Sequence, residues 1–155
     1  MAYRTASNVL IQSAVVFSIV FVAAGCGSGP IAPSEPVQRI IVYYLHGTVR
    51  CETCLSIERE ASEIVKATFS EHMDAGRLQW QALDYEQPEN AHFFKEFALS
   101  HPGLVLAHVV GARIVKWKVL ERTWDLIQEP PSFASYVEEE VGAFLANVTT
   151  NGDAE

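Results

Sequence analysis

The sequence predicts an α/β domain with a central mixed four-stranded sheet flanked by helices, and three observations carry that prediction. "IIVYYL", after Arg39, is an unbroken apolar and β-branched run of the kind that forms a strand buried on both faces. Segments of helical and of strand periodicity then alternate, and strands joined through helices pair in parallel. Near the middle of the second half, "LVLAHVV" and "RIVKWKVL" flank Gly111-Ala112, a hairpin signature that adds antiparallel partners.

The first strand is placed at Arg39–Leu45. From Cys54 onward Ile57, Ala61, Ile64, Val65 and Thr68 recur at helical spacing, with Glu58, Arg59, Glu60, Glu63 and Lys66 between them. Cys51 therefore falls in the turn before a helix and Cys54 in its first turn. "RLQWQALD" (Arg77–Asp84) alternates Leu78, Trp80 and Ala82 as a second strand. "QPEN" breaks the chain before a short helix at Ala91–Leu99. His101-Pro102-Gly103 leads into the hairpin, and Trp124–Ile127 reads as a short helix stopped by Pro130-Pro131. The last helix lies within "SFASYVEEEVGAFLANV", where Phe133, Tyr136, Val137, Val141, Phe144 and Leu145 make an apolar stripe. Residues 149–155 read as a flexible tail.

Of the 155 residues, 49% are hydrophobic, enough for a core of one domain. The net charge is −8, the acidic residues all follow position 34, and no basic run offers a phosphate footprint. Nucleic acid is excluded as a partner on that ground.

Residues 1–25 have the pattern of an export signal. Arg4 precedes an apolar stretch that ends in the small residues of "AAGC". The small residues before Cys26 resemble a lipoprotein cleavage box, with Ala23 standing where leucine is usual; Cys26 would then carry a lipid. An uncleaved anchor from Val9 to about Cys26 is the other reading, near the minimum length for a span. Both export the domain and hold it at a membrane in the cell envelope. Residues 26–36, rich in Gly, Pro and Ser, read as a tether, and the globular domain as 37–148.

The chemistry lies in "YYLHGTVRCETC". Three readings of Cys51 and Cys54 are open: a redox couple, two metal ligands, or a staple. An exported chain favours disulfide chemistry over a zinc site. Two thiolates and His46 would make three ligands where structural zinc takes four, and no second CxxC or HxxH exists. His72, His92, His101 and His108 are scattered. Haem attachment is excluded because Leu55 follows Cys54 where histidine is required. A bridge across two residues constrains the unfolded chain little, which weighs against a staple. A helix N-terminus stabilises a thiolate, so Cys51 is the expected nucleophile and Cys54 the resolving thiol. Arg50 should assist Cys51, whereas Glu52 opposes it and predicts a less oxidising couple. His46 is either a candidate proton carrier, a role that imidazole side chains suit, or a loop-edge histidine with no proton role.

The order strand, CxxC, helix, strand, helix, strand, strand, helix resembles the thioredoxin fold, with CETC at a strand-to-helix turn and Pro102 before the third strand. That resemblance implies a cis proline at Pro102 that holds a substrate chain beside the dithiol; the other reading of Pro102 is an ordinary trans turn proline. The resemblance also implies a buried carboxylate on the first strand, and Tyr44-Leu45-His46 contains none. "YYLHGTVRCETC", "DYEQPEN" and "KWKVLERTWDLI…FASYVEEEV" together resemble the ArsF-type family, described as a nitrophenyl-compound nitroreductase subunit. That family name implies redox work on nitroaromatic compounds. The residues themselves read as an exported thiol–disulfide oxidoreductase or electron-transfer subunit with the Cys51–Cys54 disulfide as its redox group and no other cofactor expected. Its partner would be a protein or a small-molecule redox substrate. The alternative is a non-enzymatic lipoprotein whose dithiol holds a soft metal or metalloid or is a structural disulfide.

Overall fold

The computed structural model describes residues 36–152. The stretch read as an export signal, Cys26 and nearly all of the expected tether lie outside the described residues. In chain order the elements are β1 (Gln38–His46), α1 (Glu52–Thr68), α2 (Ser70–Asp74), β2 (Leu78–Asp84) and α3 (Ala91–Glu96). They continue with β3 (Gly103–Val110), β4 (Arg113–Val119), α4 (Thr123–Leu126) and α5 (Pro130–Gly152). The four strands lie in the order β2-β1-β3-β4. β1 runs parallel to β2 and antiparallel to β3, and β3 pairs antiparallel with β4. This is the thioredoxin-like α/β arrangement that the element order predicts.

β1 is central, so both of its faces are covered, and Ile40 to Leu45 are all buried. Side chains alternate along a strand. Ile40, Val42 and Tyr44 therefore join Leu104 and Leu106 in a core roofed by α1 and α5. Ile41, Tyr43 and Leu45 join Val105, Ala107 and Val109 on the opposite face, where Phe97 closes over them. On α1 the buried positions are Cys54, Ile57, Ala61 and Val65. Thr68, read as part of that stripe, is instead exposed, and its hydroxyl donates to Glu138 on α5 at 2.9 Å.

Three local differences from the sequence reading have physical causes. α2 carries no apolar stripe because a five-residue helix is too short to show one. α3 stops at Glu96, three residues early. Ala98 turns to φ 52°, Ala98 N–H donates to the Lys95 carbonyl at 3.1 Å and Leu99 N–H to the Phe94 carbonyl at 2.9 Å. That is a Schellman cap with alanine in the left-handed position that glycine favours. Finally, Pro130 and Pro131 open α5 rather than merely preceding it, since proline has no N–H to lose in a first turn. The backbone of α5 also stays helical to Gly152, past the predicted start of the tail.

Candidate functional site

β1 delivers the chain to the sheet's end at His46, and Gly47–Arg50 turn it into α1. Cys51 is the N-cap of that helix, in extended conformation at φ −86° and ψ 166°. Its Sγ accepts the Cys54 N–H at 3.1 Å, and its carbonyl accepts the Leu55 N–H at 3.1 Å. The cap leaves the sulfur among the unsatisfied N–H groups of the first turn, where partial positive charge collects. Cys51 and Cys54 are joined as a disulfide with Cα atoms 5.0 Å apart. Cys51 is exposed and Cys54 is 6% exposed, the asymmetry the sequence predicts for nucleophile and resolving thiol. Val49 and Leu55 flank the pair and are 90% and 49% exposed.

Beneath the pair, Tyr44 fills the region where the thioredoxin resemblance implies a carboxylate. Its hydroxyl donates to the Cys54 carbonyl at 2.9 Å, tying the first turn of α1 to the central strand. Burial pushes the Tyr44 phenol up to about 12, with Arg50 pulling the other way. At neutral pH Tyr44 is thus a hydrogen-bond donor and no proton acceptor.

Arg50 does not project its charge onto Cys51 alone. Its guanidinium pairs with Glu58, one turn beyond Cys54 on α1, and lies over the Tyr44 ring at 5.7 Å. Its Nη1 stands 3.5 Å from His46 Nε2, the limit of a hydrogen bond. His46 is half-buried, and its Nδ1 is 2.9 Å from the Gly47 carbonyl oxygen. A carbonyl only accepts, so Nδ1 is the donor in this contact. The other ring nitrogen, Nε2, faces Arg50 in the cluster behind the dithiol.

The loop that carries Cys51 is moored to the β2–α3 connection. Thr48 Oγ1 donates to Asp84 Oδ2 at 2.6 Å, and Thr48 N–H donates to Glu86 Oε2 at 3.0 Å. Asp84 also accepts from Gln87 Nε2 and from the Glu86 N–H. The Thr48 hydroxyl is the first cause holding the Asp84 carboxyl below its ordinary value of 3.8.

Pro102 lies just before β3, whose first residue, Gly103, faces Leu45 of β1, so it shares the sheet end with the disulfide. The cis geometry implied by the resemblance is absent: no peptide bond among the described residues is cis. The trans form is the intrinsic preference of an X–Pro bond. The segment is held instead by Trp124, whose Nε1 donates to the Pro102 carbonyl at 2.6 Å. His101 sits edge-on to the Trp124 ring at 6.0 Å.

The remaining histidines stay apart. His108 Nε2 lies 3.2 Å from Gln38 Oε1, and among the described residues no three His, Cys, Asp or Glu side chains converge as metal ligands. Sequence reasoning missed Tyr44, Glu58, Thr48 and Asp84 as parts of the site. Tyr44 carried a usable signal, a phenol in an otherwise apolar buried strand that must find a partner. The Thr48–Asp84 contact joins residues 36 apart in sequence and left no local trace.

The site and sheet together define the class: a thioredoxin-like domain with a CxxC disulfide at the N-terminus of its first helix. No family model matches the chain, and no curated protein matches it significantly. Among solved structures, one described as "Structure of a malarial protein" is 18% identical, with a TM-score of 0.34. The match covers 52% of this chain and 79% of that one. None of the described helices is long and apolar enough to cross a membrane.

Proposed function

We propose that Cys51 and Cys54 form the working couple of an exported, membrane-tethered thiol–disulfide oxidoreductase or electron-transfer subunit. The observation that carries this reading is the asymmetric disulfide, with an exposed sulfur at a helix N-cap and its partner buried one turn in. Once reduced, Cys51 as thiolate attacks one sulfur of a substrate disulfide, and the other sulfur leaves as a thiolate. Cys54 then loses its proton and attacks Cys51 Sγ. That expels the second substrate thiol and closes the protein disulfide, so substrate gains the two electrons the dithiol gives up. A dithiol reductant resets the couple.

His46 Nε2 is the proton carrier in this scheme, in place of the carboxylate that β1 lacks. Pro102, on the same sheet end, gives the substrate backbone a surface to lie against. Tethering through a lipid on Cys26 or through the N-terminal anchor places the reaction at the membrane surface. A role within a nitroaromatic-reducing system is the narrower form suggested by the likeness to the ArsF-type family.

The test is a redox titration of the full chain carrying Cys26→Ser, which leaves Cys51 and Cys54 as the only thiols. In graded glutathione buffers a reversible two-electron transition is expected. A midpoint near about −270 mV marks a reductant and one near about −120 mV an oxidant. No transition across that range, or disulfide exchange that survives Cys51→Ser, rejects the reading.

A further inference from the structure

The two faces of the sheet are unequally roofed, and the less covered one opens into a cleft far from the disulfide. α3 has only six residues, about 9 Å of helix, so it cannot span the sheet. Beyond it, at the opposite end of β1 from His46, lies a cavity of about 600 Å³, within the roughly 300–1,000 Å³ of small-molecule sites. Arg39, Tyr43, Phe93, Glu96, Arg113 and Ile114 line it. Arg39 pairs with Val109 across β1–β3 and Ile114 pairs with the same Val109 across β3–β4, with Arg113 one residue before it at the hairpin end of the cleft. Arg39 and His46 are separated by roughly 23 Å of strand, at about 3.3 Å per residue.

We propose that this cleft binds a small organic carboxylate, its carboxylate taken by Arg39 and Arg113 and its apolar body packed on Tyr43, Phe93 and Ile114. The donors on the protein side are unspent. The Nε–H of Arg39 is buried with no hydrogen-bond partner, and neither arginine takes part in an ion pair among the described residues. A buried donor without a partner is costly, and a turn of the Arg39 side chain toward the cleft would let a ligand oxygen satisfy it. Two guanidinium groups against the single carboxylate of Glu96 make the lining net positive, in a chain of net charge −8. Guanidinium forks fit a carboxylate with two parallel hydrogen bonds. The walls choose among anions. The Tyr43 and Phe93 rings lie 5.2 Å apart, centre to centre, and an inorganic anion would leave that aromatic surface wet. Burial also raises the Tyr43 phenol, which keeps its hydroxyl a neutral donor at the cleft. The site does not depend on the redox chemistry of Cys51 and Cys54.

The experiment is a titration of the full ¹⁵N-labelled chain with benzoate, read at the arginine Nε–H resonances. Benzamide serves as the neutral isostere and inorganic phosphate as the anion without an apolar body. Saturable benzoate shifts are expected at Arg39 and Arg113, with benzamide and phosphate each at least tenfold weaker. Arg39→Gln and Arg113→Gln should each weaken benzoate at least tenfold. Arg113 is exposed, so its variant keeps the test valid if Arg39→Gln impairs folding. Absence of saturable binding overturns the proposal, as does equal binding of benzamide or phosphate, or benzoate affinity indifferent to Arg113→Gln.

Discussion

The two faces of the sheet obey the same alternation and end in different states. One lies under α1 and α5, of 17 and 23 residues, which are long enough to run the length of the strands. The other lies under α3, of six residues, and its apolar surface is completed by loop side chains such as Phe97 and Leu99. On the first face Ile57, Val65, Phe133, Val137 and Val141 have no exposed surface. On the second, Trp117 of β4 remains 41% exposed against Phe97. The difference teaches a division of labour. Cys51 and Cys54 are mounted on the sealed face, where α1 is fixed along its whole length, while the partly covered face leaves clefts.

The largest test of the contrast is a matched truncation. Phe133→Ala, in the sealed core, is expected to cost about 3–5 kcal/mol in chemical denaturation. Phe93→Ala, on the half-covered α3, should cost less than half as much, because part of that ring already meets water. Equal losses would mean that the two faces are packed alike.

A second test concerns the tie between the sealed core and the dithiol. Tyr44→Phe removes the hydroxyl that holds the Cys54 carbonyl, and should cost about 1 kcal/mol. The redox midpoint should move with it, whereas a phenylalanine elsewhere in the core would leave the midpoint unchanged. The phenol also has a pH signature. Its folded pKa, near 12, exceeds its ordinary value of 10.0. The neutral form is thus favoured in the folded state, and this contribution is whole below pH 10 and lost as pH rises toward 12. The difference in stability between wild type and Tyr44→Phe should shrink across that window.

A third test sharpens how the loop that carries Cys51 is moored. Asp84 is lowered in the folded state, so its contribution is present above its ordinary value of 3.8 and is lost as pH falls below it. The protection factors of the Thr48 and Val49 amides, taken against intrinsic exchange at each pH, should fall in acid, and Asp84→Asn should lower them already at neutral pH. Exchange at Ile57 and Ala61, inside the sealed face, should not respond.

The smallest expected effect lies on the thin face. Ala98 holds a left-handed conformation at φ 52°, which costs a residue with a Cβ more than it costs glycine. Ala98→Gly should stabilise the protein by about 0.5–1 kcal/mol, seen as a higher denaturation midpoint with an unchanged slope. A destabilised variant would show that the cap does not limit α3.

Much of the architecture was legible in the sequence. The β1 run, the stripes of α1 and α5, the alternation in β2 and the glycine hairpin each express a period that one element imposes on its own residues. The positions of Cys51 before a helix and Cys54 within it followed from the same local logic, as did the exposure of one and the burial of the other. Elements governed by shorter or rarer signals were not legible. α2 is too short for a stripe, the prolines of α5 read as breakers rather than a first turn, and alanine gave no hint of the cap that ends α3.

What the sequence by itself determined is the set of elements, the mixed sheet and the place of the CxxC pair, because periodicity and capping act within a few residues. Only the tertiary structure decided what surrounds that pair. Arg50 is turned to Glu58 and Tyr44, Tyr44 bonds the Cys54 carbonyl, and Thr48 is held by Asp84. It likewise decided that Arg39 and Arg113 share one cleft at the far end of the sheet. These contacts join side chains distant along the chain, and their partners are chosen by strand register and helix packing, which no local pattern encodes.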